Sequence, residues 1–66
     1  MSVSRQLTKF WSLDTRRCVL WYEDEVFELR LYDKGKLVAL VPCDTPERAF
    51  ELSVVWRHHP PVWPPE

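Results

Sequence analysis

The sequence predicts a small α+β domain: a three-stranded antiparallel meander in strand order 1-2-3 with one C-terminal helix packed on one face. Three observations carry this. Val26 to Tyr32 reads V-F-E-L-R-L-Y, an alternation of period two that marks a half-buried strand. Asp33-Lys34-Gly35 is a hairpin signal leading into a second apolar run that ends at Val41. Thr45-Pro46-Glu47 then opens a segment with apolar residues at helical spacing. The domain spans residues 1–59, followed by a Pro-rich tail at 60–66.

From the N-terminus, Leu7, Phe10 and Trp11 fit a short helix, while Phe10 to Leu13 fits an extra edge strand equally well. Arg17 to Glu23 is the first of the three strands. The connection through Asp24 and Glu25 has neither Gly nor Asn to fix its length. A loop of two or four residues puts Cys18, Leu20 and Tyr22 on the core face; a loop of three puts Val19 and Trp21 there. The even loops are preferred. In the next strand Phe27, Leu29 and Leu31 point to the core, and Val26, Glu28, Arg30 and Tyr32 point away.

Gly35 suits the left-handed position of a three-residue hairpin with a bulge. That turn pairs Tyr32 with Lys36, Leu31 with Leu37, Leu29 with Ala39 and Phe27 with Val41. All the apolar partners then share one face, which a slip of one residue would undo. Pro42 has no N–H to donate and is expected to end pairing near Val41. Thr45 is a suitable N-cap, Pro46 a suitable first helical residue, and Glu47 a favourable charge in the first turn. Ala49, Leu52, Ser53 and Trp56 form the inward stripe, with Phe50 on its flank. Pro60 and Pro61 stop the helix, and four prolines in the last seven residues predict an extended tail. Cys18 and Cys43 fall on outer strands at opposite ends of this sheet, beyond the ~7 Å Cα limit for a bridge. Two free thiols are expected.

Composition narrows the function. A chain of 66 residues buries only about 60% of its unfolded surface, and nine aromatic residues offset that handicap. The net charge of −1 supplies no global basic field for phosphate backbones. No apolar run approaches the ~20 residues of a membrane span, and Met1 to Lys9 lacks the apolar stretch of a signal peptide. A reducing cytoplasm is the expected location.

One helix covers one face of a sheet. The other face carries Val19, Trp21, Val26, Glu28, Arg30, Tyr32, Lys36, Val38 and Leu40, with Trp21, Glu28 and Leu40 in one cross-strand row and Val19, Arg30 and Val38 in the next. Leaving it wet forgoes a few kcal/mol at roughly 25 cal/mol per Å². Three things can cover it: the chain's own ends through Phe10, Trp11, Val62 and Trp63, a second copy, or a different protein.

Other motifs carry little chemistry. His58-His59 project about 100° apart on a helix, and with Cys18 and Cys43 they lack zinc-site spacing. Glu23-Asp24-Glu25 lacks the glycine and ligand spacing of a calcium loop. No nucleophile stands beside a plausible base, and the single glycine excludes phosphate-cradling loops. No enzyme, cofactor, metal or small-molecule substrate is expected. Pro60-Pro61-Val62-Trp63-Pro64-Pro65 has the composition of a ligand for an aromatic groove.

Three strands followed by a helix opening on Asp44-Thr45-Pro46-Glu47-Arg48-Ala49 resembles, from Cys18 to Trp56, the layout of plant AP2-type and integrase N-terminal DNA-binding modules. That resemblance implies a sheet laid in the major groove, with Trp21, Arg30 and Lys36 as contact residues. Two functional expectations follow. The first is a non-catalytic protein-interaction module, with a second copy or another protein bound by Trp21, Arg30, Tyr32, Val38, Leu40 and Trp63. The alternative is a nucleic-acid module with Arg16, Arg17, Arg30 and Lys36 on phosphates and Trp21 stacking. The dispersed basic residues, balanced by acids, favour the first.

Overall fold

The computed structural model describes residues 4–61. Its elements are β1 (Ser4–Leu13), β2 (Arg16–Glu23), β3 (Val26–Asp33), β4 (Lys36–Cys43) and α1 (Pro46–His58). The strands form one antiparallel sheet in order β1-β2-β3-β4. The α+β class, the antiparallel sheet and the C-terminal helix agree with expectation. The strand count does not: there are four strands, not three.

The extra strand is β1, and its physical form explains why its sequence is ambiguous. Its pairing with β2 shifts between Gln6 and Thr8 and again between Lys9 and Trp11, so Leu7 and Phe10 are inserted residues. Each bulge breaks the alternation of period two. The apolar residues therefore recur at helix-like spacing although the backbone is extended. The second bulge lets the neighbours Phe10 and Trp11 both pack against the core.

The β2–β3 connection is the short even loop: Glu23 pairs with Val26, leaving Asp24 and Glu25 as the turn. Both adopt positive φ, 50° and 66°, the backbone of a turn that usually recruits Asn-Gly. Leu20 consequently faces Leu29, and Cys18 faces Leu31.

The β3–β4 hairpin departs from expectation. Its turn is two residues, Lys34-Gly35, because Asp33 pairs with Lys36; Lys34 and Gly35 both take positive φ, 54° and 81°. The irregularity sits inside β4 instead, between the pairs Tyr32–Leu37 and Leu31–Ala39, which makes Val38 the inserted residue. Beyond it the pairing is displaced by two, with Leu29 opposite Val41 and Phe27 opposite Cys43. An even displacement preserves the faces, so Ala39 and Val41 still point to the core. Leu37 does not: it sits beside Tyr32 and is exposed. Pairing also continues through Pro42 to Cys43. β4 is an edge strand, where a missing N–H is tolerated.

α1 lies against one face. Its N-cap Thr45 accepts the Arg48 N–H through Oγ1 at 3.2 Å, Pro46 opens the first turn, and Arg57 and His58 close the last. Ala49 and Ser53, one turn apart and wholly buried, bring the helix close to the sheet. Ala49 joins Cys18, Leu20, Leu29, Leu31 and Ala39 in one buried cluster, which Trp56 extends. Ser53 satisfies its own hydroxyl by donating to the Phe50 carbonyl at 2.6 Å. Its backbone carbonyl accepts the Trp11 indole N–H at 2.8 Å. Phe10 meets Phe50 edge-on at 5.6 Å between centroids. The bulged half of β1 is thus fastened to the helix.

Neither cysteine is in a disulfide. Cys18 is buried in the core, and burial pushes its thiol up to about 12 from 9.0. Burial also raises the Cys43 thiol. The tail begins with Pro60 and Pro61; residues 62–66, including Trp63, lie outside the described residues.

Two outcomes are expected. Glu25→Gly relieves a left-handed non-glycine residue and raises stability by about 1 kcal/mol. Gly35→Ala lowers it by a similar amount through the backbone alone, since a Cβ there meets nothing within 4 Å. Thermal unfolding checks both. Folded protein disfavours the Cys18 thiolate, so this contribution to stability is intact below pH 9.0 and declines as pH rises from there toward about 12. A native thiol titration at pH 8 should find Cys18 silent until denaturant is added; rapid labelling of Cys18 in the folded chain would contradict its placement.

Candidate functional site

The face away from α1 is built as four cross-strand rows. From the end bearing the Asp24-Glu25 turn these are Ser4–Glu23–Val26, then Gln6–Trp21–Glu28–Pro42, then Lys9–Val19–Arg30–Leu40, then Ser12–Arg17–Tyr32–Leu37. Among the described residues no element packs over these rows; α1 is the sole helix and lies on the opposite side.

Arg30 organises the centre. Its Nε and Nη2 donate to Glu28 Oε1 at 3.0 and 2.7 Å, and its Nη1 donates to the Tyr32 hydroxyl at 3.3 Å. Glu23 Oε2 lies 3.8 Å from Nη2. The guanidinium also stacks 4.2 Å from the Trp21 ring centroid. Only 13% of the Arg30 side chain and 15% of the Glu28 side chain remain exposed, so the pair is largely withdrawn from water. Burial works against the Arg30 charge, but the bonds to Tyr32 and Glu28 outweigh it and hold the guanidinium above its ordinary pKa. Arg17 lies 4.8 Å from the Tyr32 ring centroid, and the Trp21 indole donates to Ser4 Oγ at 2.9 Å. Val19, flanked by Lys9 and Arg30, is fully buried although it faces away from the helix.

The cluster is bordered by apolar side chains left in water. Val26 is 41% exposed, Leu37 44% and Leu40 39%. Leu37, Leu40 and Pro42 all come from β4, so the apolar border is concentrated along that edge, whereas β1 contributes the polar residues Ser4, Gln6, Lys9 and Ser12.

Of the residues expected here, the structure brings together Trp21, Arg30 and Tyr32, with Leu40 directly opposite Arg30. Leu40 lies one row further from Trp21 than expected, because the pairing is displaced. Val38 is corrected: the bulge turns it partly into the helix-side core. Leu37 takes the outward place. Lys36 is also corrected, since it pairs with Asp33 rather than Tyr32. Arg16 lies at the sheet end, 3.9 Å from Asp33. Trp63 lies outside the described residues. The reading of the residues passed over Glu28 and Glu23 as ligands of Arg30. Glu28, Arg30 and Tyr32 at alternate positions of one strand were the available signal; Glu23 needed the turn length.

A second feature is a shallow groove of about 400 Å³ between β4 and α1, lined by Val41, Cys43, Arg48, Leu52 and Val55 among others. Burial raises the pKa of its only thiol, Cys43. Among the described residues no three His, Cys, Asp or Glu side chains are grouped to hold a metal ion, and no helix is long and apolar enough to cross a membrane. No protein-family model, curated protein or solved structure matches the chain.

Removing one member of the withdrawn pair leaves the other without its partner. Arg30→Met alone is expected to cost about 2 kcal/mol, and Arg30→Met with Glu28→Leu less than about 1 kcal/mol. Denaturant unfolding of the two variants measures the difference. Equal losses would mean that Glu28 carries no penalty when left without Arg30, contrary to this account.

Proposed function

We propose that this chain is a small non-catalytic module that binds protein through the outer face of its sheet. The supporting observation is the pairing of a preorganised Arg30–Trp21–Tyr32 cluster with an exposed apolar border of Val26, Leu37 and Leu40. Arginine and the large aromatics are the residues most often found at the energetic centre of protein interfaces. Here their geometry is already fixed by internal bonds, so less conformational entropy is lost on binding. The guanidinium has met its charge at home, so burying the cluster leaves no new unpaired ion.

The nucleic-acid alternative loses its central residue in this arrangement. Arg30 is neutralised by Glu28 and Glu23, and an acidic turn adjoins them. A cytoplasmic setting suits two unbridged thiols.

Photo-crosslinking tests the reading. A benzophenone side chain at position 40, in the full chain within an extract of its source cells, should form protein adducts, while the same group at position 47 on the far side should not. Absence of adducts at 40 would overturn the proposal. Binding of single-stranded or duplex DNA at low salt, weakening steeply as salt is added, would overturn it in favour of the nucleic-acid reading.

A further inference from the structure

The protein-binding reading leaves the partner open, and the charge layout of the same face selects one. We infer that the partner is a second copy of this chain, docked face to face about a two-fold axis that lies between the sheets and runs across the strands. This rests on the outer face being the interface.

The rows differ in charge from one end to the other. Glu23 and Glu28 occupy the first two rows, and Asp24 and Glu25 form the adjoining turn. Lys9 and Arg30 occupy the third row and Arg17 the fourth. Arg30 and Glu28 neutralise each other, so the difference between the ends rests on Glu23 with the Asp24-Glu25 turn at one and on Arg17 with Lys9 toward the other. The strands differ as well: β4 supplies Pro42, Leu40 and Leu37, and β1 supplies polar residues.

Two simple two-fold arrangements bring such faces together. An axis parallel to the strands places acidic end on acidic end and the apolar β4 border over polar β1. An axis across the strands reverses the ends but keeps β4 over β4. The first row of one copy then lies over the fourth row of the other, so Glu23 faces Arg17; the second row lies over the third, where Glu28 lies over Arg30, each already paired within its own copy. In the same arrangement Leu40 and Pro42 of the two copies meet, and Leu37 of one reaches toward Val26 of the other. Charge and apolar patterns thus agree on one orientation. A two-fold interface requires a surface complementary to itself, and this one is. The edges offer less. β1 carries two bulges and β4 carries Pro42, both features that discourage strand-to-strand pairing.

Equilibrium sedimentation of the full chain tests this with charge reversals on opposite ends of the face. The parent should be a dimer. Arg17→Glu and Glu23→Lys each place two like-charge contacts in the dimer and should each raise the dissociation constant by about tenfold or more. In an equimolar mixture of the two variants both contacts become attractive, so heterodimer should form at concentrations where each alone is monomeric. The chain carrying both substitutions should dimerise again, which separates interface effects from misfolding. A monomeric parent at the highest soluble concentration, or a mixture no more associated than its components, would overturn the inference. The position-40 crosslinker tells the failures apart. Adducts to a different protein would leave the outer face as an interface and remove only the second copy. Capture by the chain's own residues 62–66 would make those residues the occupant. No adduct of any kind would remove both readings.

Discussion

One thirteen-residue helix lies against a sheet four strands wide, and its contact is confined to a single face. The closeness of that contact depends on two small residues, Ala49 and Ser53, stacked one turn apart. Ser53 also supplies the carbonyl that receives the Trp11 indole. The helix is therefore packed on the central strands and fastened to an edge strand. Cys18, Leu20, Leu29, Leu31 and Ala39 are committed to this side, and the rest of the alternating strand residues must find another environment.

The outer face meets that need in part from its own side chains. Arg30 lies flat along the sheet, bonding along β3 to Glu28 and Tyr32 and stacking across to Trp21. Such an arrangement shelters Val19 without a second layer of secondary structure. It does not extend to β4, where Leu37 and Leu40 remain in contact with water. The face thus combines a hydrogen-bonded polar centre with an apolar flank and unlike charges at its two ends. The proposed function follows from that combination.

Much of this was legible in the residues. Val26 to Tyr32 alternates without interruption, and its two faces are as read. Thr45-Pro46 marked the helix start to the residue, and Ala49, Ser53 and Trp56 its buried stripe. Apart from Pro42, which an edge strand tolerates, the misread side-chain faces have one cause. β1 and β4 both carry bulges, and a bulge alters side-chain phase without leaving a sequence signature comparable to Gly or Pro. Leu7, Phe10 and Trp11 imitate helical spacing for this reason, and Leu37 and Val38 exchange faces for the same reason. Asp24-Glu25 forms a left-handed two-residue turn from residues that seldom favour it, so its length was recoverable only through the burial of Cys18 and Leu20. Arg30 was identifiable as an outward residue. Its pairing with Glu28 follows from alternate positions on β3, whereas its approach to Glu23 depends on the length of the β2–β3 turn.

The central claim is that the helix shelters one side of the sheet and leaves the β4 border of the other side accessible within each chain. Hydroxyl-radical footprinting of dilute, folded protein measures this directly. The account predicts strong oxidation at Leu37 and Leu40 with protection at Leu29 and Leu31, and growing protection at Leu37 and Leu40 as concentration rises. Protection of Leu40 equal to that of Leu29 at every dilution would contradict it.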